Sequence, residues 1–113
     1  MNVLIHNKNV TLTEIEVAEV REEINKLEKY VMGETPATVD VYFEDESGNG
    51  TKNGSDQRVG ITLMLGGEKL FVEEIDSTHA KAFRLAYGRM KEMLEERHRK
   101  KIDRRQDEGL VIK

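Results

Sequence analysis

The sequence predicts an α+β domain in the order β-α-β-β-β-α, with a four-stranded mixed sheet and two helices on one face. Three observations predict it. Apolar residues recur at helical spacing in one early and one late stretch. Between those stretches they alternate with polar residues, the period of half-buried strands. A Gly66-Gly67 pair separates two of the alternating runs, where a tight hairpin turn suits glycine.

Residues 2–6 form a short first strand. Thr13-Glu-Ile-Glu16 has capping-box spacing: the hydroxyl accepts from an orphan amide of the first turn, and Glu16 reaches back. Val17, Val20, Ile24, Leu27 and Val31 then step at 3, 4, 3 and 4, one face of a helix expected at about 14–32. Gly33 suits its end and Pro36 blocks continuation. Val39, Val41 and Phe43 alternate with Asp40, Tyr42 and Glu44; Val59, Ile61, Leu63 and Leu65 alternate with Gly60, Thr62 and Met64. The turn at Gly66-Gly67 leads into a strand at about 68–75. The stretch 44–56 is polar and glycine-rich, a long hairpin loop.

A second helix starts near Thr78, with Phe83, Tyr87, Met90 and Leu94 on one face. Beyond Arg97 the only apolar residue before Gly109 is Ile102, so this helix is expected to outrun the core as a basic extension to about residue 105. Gly88 inside it costs about 1 kcal/mol relative to alanine, and close packing on the sheet is a possible reason. The first helix separates two strands, which can therefore run parallel; the other strands form an antiparallel meander. The sheet face away from the helices carries Asp40, Tyr42, Glu44, Arg58 and Thr62 and is expected to be solvated. The division expected is a domain over 1–97 and a basic helical extension with a short tail over 98–113.

Composition bounds the function. The chain has 113 residues, 37% hydrophobic and 35% charged, which suits one modest core. No apolar run approaches the length of a membrane span, and the start lacks the form of a secretory signal. With no cysteine there are no disulfides, thiolate metal sites or cysteine nucleophiles. The setting expected is cytoplasmic.

The net charge of −4 conceals a segregation: residues 1–79 carry −9, residues 80–105 carry +6, and the remainder −1. A basic element on an acidic body suggests a polyanionic partner. The plainer reading is a solvated helix with ion pairs such as Glu95–Arg99 and Glu96–Lys100, which leave Arg97-His-Arg-Lys-Lys101 mostly uncompensated.

Catalysis and metal binding find little support. His6, His79 and His98 are too dispersed for a metal motif, and there is neither a serine elbow nor a Walker loop. Carboxylates on the first helix suit a solvated surface better than an acid/base pair. The run from Asp45 to Asp56 places oxygen ligands at calcium-loop positions 1, 3, 5, 9 and 12 with glycine at 6. Aspartate at position 12, lysine at position 8 and flanking strands argue for a polar hairpin tip instead. No metal, cofactor, membrane or small-molecule substrate is expected.

Several segments together resemble the short form of the ribosome hibernation-promoting factor and ribosome-associated inhibitor A family, the sigma-54 modulation proteins. Met1-Asn-Val-Leu-Ile-His-Asn-Lys-Asn9 resembles the family's first strand and turn. Ile24-Asn-Lys-Leu-Glu-Lys-Tyr30 resembles the end of its first helix, and Val59 to Leu70 its third strand, glycine turn and fourth strand. The resemblance spans roughly residues 1–100. It implies a fold like that of double-stranded-RNA-binding domains and a non-enzymatic protein that binds the small ribosomal subunit and its RNA. Such a protein occupies the channel for messenger and transfer RNA and inhibits translation. Carried over by position, Lys26, Lys29 and Arg89 match basic family positions. The chain departs from the family at Glu92, Glu95 and Glu96, where basic residues are common, at Lys91, where an acid is common, and at Ala80, where an aromatic is usual.

The candidate RNA-binding set is therefore Lys26, Lys29, Lys81, Arg84, Arg89, Arg97, Arg99, Lys100 and Lys101, with Arg104 and Arg105 in the same run. Two other readings remain: a protein-interaction module on the same fold that does not bind ribosomes, and a free double-stranded-RNA binder.

Overall fold

Alternation along the chain becomes a single sheet. The computed structural model describes residues 1–32, 37–46 and 56–111, with 101–111 described as backbone only. Strands β1 (Asn2–Lys8), β2 (Ala37–Asp45), β3 (Gln57–Leu65) and β4 (Glu68–Asp76) lie in that order across the sheet. β1 runs parallel to β2, and β2, β3 and β4 are antiparallel, as expected. The register aligns Val3 with Val39, Val41 with Ile61, Phe43 with Val59, and Ile61 with Val72, so one face is continuously apolar. Leu65 pairs with Glu68 across Gly66-Gly67, and only Gly66 has positive φ (57°), the signature of a II′ hairpin.

Helix α1 (Glu14–Asn25) begins with the capping box the sequence predicts. Glu16 N donates to Thr13 Oγ1 at 3.1 Å and Thr13 N to Glu16 Oε1 at 3.0 Å. The helix ends earlier than its apolar stride suggests: Lys26–Tyr30 is a 3-10 turn. Leu27 and Val31 are buried all the same, because tightening the last turn keeps them on the core side.

Helix α2 (His79–Val111) is longer than the expected end near 105. It starts at Thr78, whose hydroxyl accepts from Lys81 N at 3.2 Å. Among its described side chains, Ala82, Ala86, Met90 and Leu94 are fully buried. Two alanines let the helix backbone approach β3 and β4 closely, while Phe83 and Tyr87 sit half-buried towards α1. Gly88 has another setting than the sequence suggested: a Cβ there would meet nothing within 4 Å, so close packing on the sheet is not its reason.

The helix-free sheet face is more apolar than expected. Leu4, Tyr42, Met64, Phe71 and Ile75 are all exposed on it, while Thr62 is only 9% exposed. Only β2 and β3 entered the sequence estimate of that face; β1 and β4 add Leu4, Phe71 and Ile75. Tyr42 stacks on His6 with centroids 4.7 Å apart, and His6 Nε2 lies 2.8 Å from Asp40 Oδ1. Among the described residues no helix is long and apolar enough to cross a membrane.

Candidate functional site

The two helices meet at two points with a trough between them. At one end His79, the first residue of α2, contacts Glu16 Oε2, while the other oxygen of Glu16 closes the cap of α1. At the other end Tyr30 donates to Glu95 Oε1 at 3.4 Å and meets the His98 ring edge-on. The trough has a volume of about 420 Å³. Its floor is Leu12, Val20, Phe43 and Phe83; Glu16, Glu19 and Glu23 line the α1 side and Arg84 and Tyr87 the α2 side. The Thr13 amide, and next His79, hold the Glu16 carboxyl below the usual range. Burial, and next Glu23, push the Tyr87 phenol above its ordinary value.

The candidate cations fall into two classes. Arg89 and Arg97 are bound to β4. Arg89 Nη1 donates to Glu74 Oε1 at 2.9 Å and to the Glu73 carbonyl at 3.2 Å; Arg97 Nε donates to Glu68 Oε1 at 2.8 Å. These guanidiniums hold the outer flank of α2 to the sheet edge. Lys26, Lys29, Lys81, Arg84, Arg99 and Lys100 are exposed. Lys26 Nζ pairs with Glu23 at 2.7 Å, which raises its pKa, and Lys29 Nζ lies 5.1 Å from the Tyr30 ring centroid. Lys100 pairs with Glu96 at 3.4 Å. The Lys101 side chain, like those of Arg104 and Arg105, lies outside the described residues.

By helical periodicity Lys81, Arg84, Gly88, Glu92, Glu95 and Arg99 follow one outward line on α2. Positive charge therefore lies at the two ends of that line, with glutamates between. Lys26 and Lys29 form a third small group on the 3-10 turn. The structure brings Lys81 and Arg84 together and Arg99 and Lys100 together, but not all nine candidates into one patch.

The chain matches the family model described as sigma 54 modulation protein / S30EA ribosomal protein over residues 3–102. The chain belongs to this family. Among solved structures, the N-terminal domain of Protein Y from Thermus thermophilus superposes with a TM-score of 0.69 at 22% identity. That match covers 85% of this chain and 98% of the other. A ribosomal subunit interface protein from Coxiella burnetii superposes with a TM-score of 0.56 at 15% identity, covering 85% and 96%. No curated protein matches in sequence. At these identities the structural matches establish the S30EA-family fold, as the residue-level resemblance implied.

Sequence reasoning missed other fixed points of this S30EA-family domain. Arg21 Nη1 donates to the Val3 carbonyl at 2.7 Å, tying α1 to β1, and the amino terminus lies 3.2 Å from Glu28. Neither has a local signal, because the partners are 18 and 27 positions apart. Most of the calcium-loop spacing, 47–55, lies outside the described residues. Among the described residues no group of three His, Asp or Glu side chains could hold a metal ion.

Proposed function

We propose that this protein is a ribosome-associated hibernation factor that binds the small ribosomal subunit and inhibits translation by occupying the channel for messenger and transfer RNA. The family match over 3–102 carries this reading. It requires no cofactor and no chemistry, only occupancy, and it places the protein in the cytoplasm.

The footprint we assign comprises Lys26 and Lys29 on the 3-10 turn, Lys81 and Arg84 at the start of α2, and Arg99, Lys100 and Lys101 on its extension. Arg89 and Arg97 contribute positive potential from positions already tied to β4. Lysine and arginine bind phosphates by Coulomb attraction and counterion release, so affinity falls with salt. Spaced cations of this kind suit the shape of folded RNA rather than a base sequence.

The test is sedimentation of the purified protein with small subunits at low and moderate salt. Near-stoichiometric binding that weakens with salt and is displaced by transfer RNA is expected. No co-sedimentation at low salt overturns the reading. In that case the second reading, a protein-interaction module, gains ground. It is favoured by the row Glu16, Glu19 and Glu23, which repels phosphate from the middle of the two-helix face.

A further inference from the structure

The geometry points to self-association: the acidic trough between α1 and α2 of one molecule receives the basic end of α2 of a second copy, reciprocally. This goes beyond ribosome binding and concerns the protein by itself.

Charge complementarity is the first support. Residues 14–25 hold five acidic side chains and one basic. Residues 97–105 hold six basic side chains and one acidic. The trough joins an apolar floor to Glu16, Glu19 and Glu23 on its α1 side, with Arg84 on its α2 side, so carboxylates outnumber guanidinium there. Arginine and lysine suit it: their aliphatic stems cover Leu12, Val20 and Phe83 while their charged ends reach Glu19 and share Glu23 with Lys26. Phosphate is the wrong guest for that rim.

Geometry makes the contact intermolecular. Leu94 is the last buried residue of α2 among the described residues. From Arg99 the helix continues to Val111, roughly 20 Å at 1.5 Å per residue. The residues lining the trough from α2, His79 to Tyr87, belong to the same continuous helix. A helix cannot fold back onto its own first turns, so a chain cannot seat its basic end in its own trough. Two chains can. With their α2 helices antiparallel about a two-fold axis near Glu92, residues around 101 of each lie opposite residues around 83 of the other. Both troughs fill at once, and the assembly closes as a dimer.

The experiment is sedimentation equilibrium of the full chain over a wide concentration range at low and high salt, without ribosomes. The wild-type chain is expected to dimerise at low salt, with the dissociation constant rising about tenfold or more at high salt. Two charge-reversed variants complete the test: Glu19→Lys/Glu23→Lys, and Arg99→Glu/Lys100→Glu/Lys101→Glu, which turns residues 97–105 net negative. Each alone is expected to be monomeric, because one side of every contact is reversed. Their equimolar mixture is expected to dimerise, because each variant's tail then meets a trough of opposite sign on the other. A wild-type chain monomeric throughout at low salt, variants that self-associate like wild type, or a mixture that stays monomeric overturns the proposal. A failure here leaves the ribosome reading to its own assay, since no subunit is present.

Discussion

Glu16 and His79 lie 63 residues apart, yet one carboxylate joins the first turn of α1 to the first residue of α2. One oxygen accepts from the Thr13 amide and the other meets the His79 ring. The N-termini of both helices are thereby fixed above Phe43, whose ring meets His79 edge-on at 6.2 Å.

This junction makes stability depend on acid. The Glu16 carboxyl is held below its ordinary value of 4.5, first by the Thr13 amide and next by His79. A carboxyl with a lowered folded pKa adds stability above its unfolded value, and that stability is lost as pH falls through the folded one. Urea midpoints measured from neutral pH downward should fall more steeply below pH 4.5 in wild type than in Glu16→Gln. Parallel curves would remove Glu16 from the acid transition. Thr13→Ala should cost about 1 kcal/mol at neutral pH through loss of the cap.

Two glycines should respond with opposite signs. Gly88→Ala adds a methyl group in open space on a helix and should stabilise by about 1 kcal/mol. Gly66→Ala forces a φ of 57° on a residue with a Cβ and should destabilise by about 1 kcal/mol. Chemical denaturation of both variants beside wild type checks the pair; a destabilising Gly88→Ala would mean that the helix surface there is packed after all.

The cations should divide by assay. Arg89→Ala and Arg97→Ala remove ties to Glu74 and Glu68 and should lower stability by up to about 1 kcal/mol. Arg99→Glu with Lys100→Glu should leave the urea midpoint nearly unchanged and weaken salt-dependent binding to the small subunit. Equal loss of subunit affinity from Arg89→Ala would show that this guanidinium serves RNA as well as β4.

Tyr87 should titrate late. Burial, and next Glu23, raise its phenol above 10.0. The unfolded chain therefore ionises first, and the contribution of Tyr87 to stability fades as pH rises through 10. Phenolate absorbance should show a component above the ordinary value that disappears in Tyr87→Phe. In Glu23→Gln that tyrosine should move down; no movement would remove Glu23 from its causes.

The sheet was largely legible because strand alternation and a Gly-Gly turn are local signals. The capping box at Thr13 was legible for the same reason. The stride from Val17 to Val31 concealed the change to a 3-10 turn at Lys26, since Leu27 and Val31 are buried in either geometry. Which side of α2 meets the sheet was misjudged in part: large apolar residues drew attention to Phe83 and Tyr87, while small Ala82 and Ala86 lie against the strands. The candidate site was legible as a set of basic positions and not as a surface. Separating Arg89 and Arg97 from Arg99 and Lys100 required β4, whose glutamates are remote in sequence. The acidic trough required α1 and α2 side by side.

Leu94, the last buried residue of α2 among the described residues, also divides that helix between two kinds of selection. Up to Leu94 an exchange of side chains is judged by the core, where Ala82, Ala86, Met90 and Leu94 leave no spare room. Beyond Arg97, exposed positions such as Arg99 and Lys100 can trade one charge for another at almost no cost to folding. Such a segment can drift, acquire a new partner and lose an old one while the domain beneath it stays the same. Lineages carrying this fold should therefore differ most in the final turns of α2, and those turns are where divergence of function would first be written.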